Sequence, residues 1–180
     1  MAIDVKKLLS GALLELCNER PLAKVTVKDI IQKAGASRQT FYNHFKDKND
    51  LITYTYCTHV IGDFRSADMK LGFYEFLCDA HKYCVKYKKF YTQACSLEGQ
   101  NSLREYIFEQ NYRNYLSLVI EGHGKNVITD ELLWAIRFNA MGAINMHFKW
   151  VQDDMSIAPD VKAKYVLNCI PEILRQYLPA

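Results

Sequence analysis

A chain of 180 residues, 49% hydrophobic and 24% charged, holds enough apolar material for one or two compact domains and is not a disordered polymer. No run of about 18 apolar residues occurs, and the first ten residues lack a signal-peptide core, so a cytoplasmic chain with no membrane span is expected. The net charge of +3 is uneven: residues 1–50 carry nine Lys and Arg against six Asp and Glu, while residues 51–180 carry fourteen of each, and a local positive excess favours a phosphate-bearing partner.

Apolar spacing is helical almost everywhere, and no segment sustains a period of two. The fold class is therefore all-α. Val5, Leu8, Leu9, Ala12, Leu13, Leu16 and Cys17 form the stripe of a first amphipathic helix that Pro21 stops. Thr26 is placed to cap a second helix with Val27, Ile30, Ile31 and Ala34 inward, and Gly35 can take the left-handed turn that ends it. Ser37 caps a third helix, and Asp47 a fourth over about 48–67. Longer helices follow over about 71–86, 88–96, 100–122, 129–153 and 160–178, with a kink or restart at Pro171, giving about nine helices in total. The expected division is a three-helix helix-turn-helix domain over 1–47 and a helical body over 48–180.

The third helix has two unlike faces. Phe41 and Phe45 share a buried stripe, Gln39 and Asn43 point most directly away from it, and Arg38 and Tyr42 flank one side, Thr40 and His44 the other. Arginine pairs two-fold with guanine and glutamine with adenine. Arg38, Gln39, Tyr42 and Asn43 are accordingly the expected base-reading residues of a DNA recognition helix. Thr26, Lys28, Ser37, Thr40, Tyr42, His44 and Lys48 are the expected phosphate contacts of a double-stranded DNA operator.

The run from Thr26 through Leu51, with Thr26-Val27, Ala34-Gly35, Phe41-Tyr42-Asn43-His44-Phe45 and Lys48 at the entry to helix four, resembles the N-terminal signature of the TetR family of transcriptional regulators over about residues 4–55. The resemblance implies a homodimer with an N-terminal DNA-binding domain and a larger helical domain for a ligand or partner. It also implies phosphate contacts at Thr26, Tyr42, His44 and Lys48, and base contacts at Arg38, Gln39 and Tyr42. Ala36 departs from the branched apolar residue frequent there, which bears on packing. Phe90-Tyr91, Asn139-Ala140-Met141-Gly142-Ala143, Trp150-Val151 and Ser156-Ile157-Ala158-Pro159 resemble a Firmicutes-type branch that includes activators of dihydroxyacetone-kinase operons.

In the body, the aromatics between Phe73 and Tyr115 read either as a lined pocket or as core, with core favoured by their helical spacing. Leu132, Leu133, Ile136, Ala140, Ala143 and Met146 to Phe148, with the last helix, suggest a homodimer seam over about 129–178. Cys78, His81 and Cys84 share a helical face but lack a fourth ligand, so neither a metal nor another cofactor is expected. With no nucleophile motif or glycine-rich phosphate loop, an enzyme is not expected. The favoured reading is a repressor released by a small-molecule or protein effector acting through helix four. The alternatives are an activator controlled by a partner protein, and a helical adaptor, which the positive head and polar outer face disfavour.

Overall fold

The computed structural model describes residues 4–60, 72–97 and 103–178. They form α1 (Val5–Glu19), α2 (Val27–Ala34), α3 (Arg38–Tyr42), α4 (Lys48–Val60), α5 (Phe73–Lys86), α6 (Lys88–Cys95), α7 (Leu103–His123), α8 (Asp130–Gln152), α9 (Pro159–Asn168) and α10 (Glu172–Arg175). Three-residue 3-10 turns lie at Leu22–Lys24 and Lys125–Val127, and the described residues contain no strand. The all-α class holds. The ten α-helices exceed the expected nine because Pro171 divides the last one: the chain leaves helix at Asn168, and Pro171 precedes the short α10. The expected extension of helix four to residue 67 and the start of α7 near 100 lie outside the described residues.

Local chemistry sets most boundaries. Asp4 caps α1 and Thr129 caps α8, each accepting from backbone N–H groups of the first turn. Asp47 caps α4, its carboxylate accepting from Asp50 N at 2.9 Å. After α8 the chain reverses through Asp154 and Met155, at φ 61° and 54°. Met155 is buried there, and the Trp150 indole donates to the Ile157 carbonyl at 2.8 Å. These contacts hold two left-handed non-glycine residues in place.

Among the described residues, two apolar clusters form the core. The larger runs from Leu13, Leu22, Ile30 and Phe41 through Leu51 and Tyr56 of α4 to Phe90, Tyr91, Phe148 and Val151. The expected boundary at 47/48 therefore crosses a continuous core. The smaller cluster joins Phe73, Phe76, Tyr115, Val119, Leu132, Ile136, Ile170 and Leu174. Phe73, Phe76, Phe90, Tyr91 and Tyr115 are all buried in these clusters, whereas Tyr106 is exposed.

α8 has two apolar faces. Leu132, Ile136, Ala140 and Phe148, which the sequence reading assigned to a dimer seam, are buried inside the protomer. The outward face carries Met146, the exposed member of that set at 64%, together with Trp134, Phe138 and Met141, which are 74%, 68% and 51% exposed. Tyr165 of α9 is exposed as well. Hydropathy alone could not separate the faces, because both are apolar.

Candidate nucleic-acid interface

The N-terminal unit is built so that α3 has one buried side and one free side. Thr26 and Asp29 form a reciprocal capping box at the start of α2: Asp29 N donates to the Thr26 hydroxyl at 3.2 Å, and Thr26 N donates to the Asp29 carboxylate at 2.9 Å. The Thr26 hydroxyl also donates to that carboxylate at 2.7 Å, the largest of the contacts that hold the Asp29 carboxyl below its usual range. Gly35 closes α2 at φ 64°, a left-handed position that suits glycine. Two residues later Ser37 starts α3, accepting from Thr40 N at 3.0 Å. Thus 12 residues from Thr26 to Ser37 make helix, turn and helix start with caps supplied by their own side chains.

α3 is five residues long, and the chain continues helically for one more turn, with Asn43 N bonded to Gln39 O and Phe45 N to Phe41 O. Phe41 is fully buried and Phe45 nearly so, their rings 5.9 Å apart. Burial of such a ring contributes about 1.5–3 kcal/mol and fixes the helix rotation. Arg38, Gln39, Tyr42, Asn43 and His44 are consequently exposed together, while Thr40 is half-buried. The Arg38 guanidinium lies 5.6 Å from the Tyr42 ring centre. Among the described residues, no side-chain hydrogen bond or ion pair engages Arg38, Gln39 or Asn43. Their donors and acceptors remain available.

Four expected phosphate contacts, Thr26, Ser37, Thr40 and Lys48, have internal partners. Thr26 is tied to Asp29 as above. The Lys48 ammonium donates to the carbonyls of Leu22 at 3.1 Å, Ala23 at 3.4 Å and Val25 at 2.9 Å, so all three of its N–H donors have acceptors. Lys28 and Ser37 are exposed, and the Ser37 and Thr40 hydroxyls lie 2.8 Å apart.

The turn that Lys48 holds is also held from the body. Leu22 N donates to Gln93 Oε1 of α6 at 2.6 Å, and the Lys89 ammonium donates to Asn18 O at 3.1 Å. Neither α6 residue stood out in the sequence: a polar side chain on an amphipathic helix carries no sign of the distant backbone it meets.

Comparison with known proteins decides the class. The sequence profile described as "Bacterial regulatory proteins, tetR family" matches residues 9–55, and a second, "Transcriptional regulator C-terminal region", matches residues 73–171. The chain belongs to the TetR family. It is a DNA-binding transcriptional regulator of the helix-turn-helix type, and TetR-family regulators bind DNA operators and usually act as dimers. A curated relative, the uncharacterized HTH-type transcriptional regulator YvdT of Bacillus subtilis (strain 168), is 43% identical over 47 residues. That match spans 26% of this chain and 24% of the relative. Among solved structures, the dihydroxyacetone kinase operon activator DhaS overlays with a TM-score of 0.69 at 19% identity, covering 99% of this chain and 100% of that one, and so shares the whole fold. Native NalD, the secondary repressor of the MexAB-OprM multidrug efflux pump in Pseudomonas aeruginosa, gives a TM-score of 0.48 at 18% identity, covering 97% and 96%. No described helix is long and apolar enough to cross a membrane.

Proposed function

We propose that this TetR-family protein is a homodimeric repressor whose grip on its operator is released by an effector through α4. The observation that carries the DNA reading is the unpartnered polar face of α3, held outward by Phe41 and Phe45. In this proposal Arg38 and Gln39 read base edges, aided by Tyr42 and Asn43. Lys28, Ser37, Thr40, Tyr42 and His44 grip phosphates at the rim. Thr26 and Lys48 also belong to the phosphate set, Thr26 beside the free N–H groups of α2 and Lys48 through its charge while it braces the Leu22–Lys24 turn.

The dimer is proposed to form through α8 and α9 within about 129–178. Trp134, Phe138, Met141 and Met146 present an apolar surface that a two-fold related copy would cover with the same residues. The functional division is proposed at 47/48, with the shared core acting as a lever. Lys48 and Gln93 hold the same turn from α4 and α6, so a shift of either helix reaches the head. Two recognition helices must meet half-sites about 34–36 Å apart, and a few ångströms of displacement weakens binding. An effector acts only by preferring one arrangement.

The full-length fold shared with DhaS, named as an operon activator, favours keeping the opposite sign as the second reading. A reporter downstream of the operator separates them: removing the protein raises transcription under repression and lowers it under activation. The DNA assignment is tested by selecting bound DNA fragments and comparing Arg38→Ala with Gln39→Ala in one chain. Each lost base contact is expected to cost about 1–3 kcal/mol of discrimination. Undiminished selectivity in a folded, dimeric variant would overturn the assignment.

A further inference from the structure

A polar chain crosses the body at a place the DNA reading does not use. Lys162 of α9 is only 5% exposed. Its ammonium donates to His81 Nε2 of α5 at 2.7 Å and to His147 Nδ1 of α8 at 3.1 Å, and it lies 4.3 Å from the Trp150 ring centre. Each imidazole therefore offers a lone pair to the ammonium and carries its proton on the other nitrogen. His81 Nδ1 then donates to the Pro159 carbonyl at 3.4 Å, and His147 Nε2 donates to the Tyr56 hydroxyl of α4 at 3.0 Å. The Tyr56 hydroxyl lies 3.3 Å from Cys95 Sγ of α6.

The charges are unusual. Burial, then the adjacent ammonium, lowers His81 to about 3 and holds His147 well below its ordinary range, so both rings are neutral at pH 7. Burial brings Lys162 from 10.5 down to about 7. Around it stand His81 and Cys84 from α5 and His147 and Trp150 from α8. Asp153, at the end of α8, is bonded to Lys149 at 2.6 Å. Among the described residues, no carboxylate pairs with Lys162. A buried cation without a counter-ion is costly, and two of its three N–H donors go to imidazoles, which leaves one.

Above Lys162 lies a cavity of about 320 Å³ between α8 and α9. Phe138, Ala143, Met146 and Val166 contribute apolar wall; Lys162, His147 and Asn139 contribute polar groups, and the Lys149–Asp153 ion pair also borders it. The volume is at the small end for ligand cavities, which run from about 300 to 1,000 Å³. None of the aromatics between Phe73 and Tyr115 lines it.

We propose that the cavity between α8 and α9 binds a small monocarboxylate with an apolar body, the carboxylate pairing with Lys162 Nζ and the body lying against Phe138, Met146 and Val166. The carboxylate supplies the missing counter-charge and accepts the remaining N–H, and the chain length is set by the cavity. Occupancy re-aims the ammonium that also donates to His147 Nδ1, and His147 in turn holds Tyr56 on α4. The site is thus wired to the helix that braces the DNA-binding head. This last coupling rests on the effector reading above. Phe138 and Met146 also belong to the face proposed to meet a second copy, so a dimer would roof the cavity.

The probes are octanoate, octan-1-ol and octylamine, titrated calorimetrically into the full chain well below micelle formation. Octanoate is expected to bind saturably, octanol about tenfold more weakly or worse, and octylamine not at all. Octanoate binding should weaken from about pH 6 to about pH 8.5, as Lys162 loses its proton near 7. Lys162→Met should erase the preference for octanoate over octanol, and Lys162→Arg should retain it. Equal binding of acid and alcohol by the unaltered chain, or no saturable binding of octanoate, overturns the site without touching the DNA reading. Octanoate binding that leaves operator affinity unchanged overturns the coupling to α4 and leaves the site standing.

Discussion

The outer faces of α3 and α8 are both left unsatisfied by the protomer, yet they are opposite in chemistry. α3 offers Arg38, Gln39, Tyr42 and Asn43 to solvent from a helix anchored by Phe41 and Phe45. α8 offers Trp134, Phe138, Met141 and Met146 from a helix whose other face is just as apolar. A polar outer face on an otherwise amphipathic helix is unremarkable until its spacing matches base edges and phosphates. A doubly apolar helix is abnormal at once, because a water-facing apolar stripe of this size calls for another surface. The first face is suited to nucleic acid, the second to protein or to an apolar ligand.

The largest effect is expected at the anchor of α3. Phe41→Ala is expected to destabilise the head by about 3–5 kcal/mol, read from denaturant unfolding, and to abolish operator binding together with it. Next is the α8 face. Trp134→Glu with Phe138→Glu should leave the helical circular dichroism intact, give a monomer in sedimentation, and weaken operator binding by about a hundredfold or more through loss of bivalency. An unchanged dimer would place the seam elsewhere.

A pH experiment probes the interior behind α8. The unfolded chain holds a proton on Lys162 between about 7 and 10.5 that the folded chain has released, so this group makes stability rise with pH from about 7. The buried thiols oppose it above about 9, since Cys84 and Cys57 are pushed up to about 12 and keep their protons when folded. Melting temperatures between pH 7 and 9 should therefore climb less steeply in Lys162→Met than in the unaltered protein. Below about 6.5, the neutral His81, lowered to about 3, makes stability fall with acidification in both. The smallest effect is expected at Lys48→Ala. It should reduce the salt slope of operator binding by about one unit. Because the carbonyls of Leu22, Ala23 and Val25 lose the ammonium that ties them to α4, it should also lower the melting temperature, which a pure phosphate contact would not.

Legibility followed the range of the physics. Thr26, Gly35 and Ser37 announce their turns because caps and left-handed glycines act within three or four residues. Pro171 likewise marks its break, although the break makes a tenth helix. Lys162, by contrast, sits in Val161-Lys162-Ala163 with no local sign of burial, and its partners lie 81 and 15 residues away. Gln93 meets a backbone N–H 71 residues back. The helical spacing of the aromatics of α5 to α7 favours core over pocket, and several of them do fill the core, but nothing local marks where the cavity opens, which is elsewhere.

By itself, the sequence determined the all-helical class, the helix-turn-helix, its family and the outward residues of α3, because periodicity, capping and turn chemistry are local. Tertiary structure alone decided which side of α8 stays bare, where the cavity opens, and that Lys48 braces a turn while Lys162 meets two neutral imidazoles. Those outcomes depend on which helices pack together, and packing joins residues that no local spacing relates.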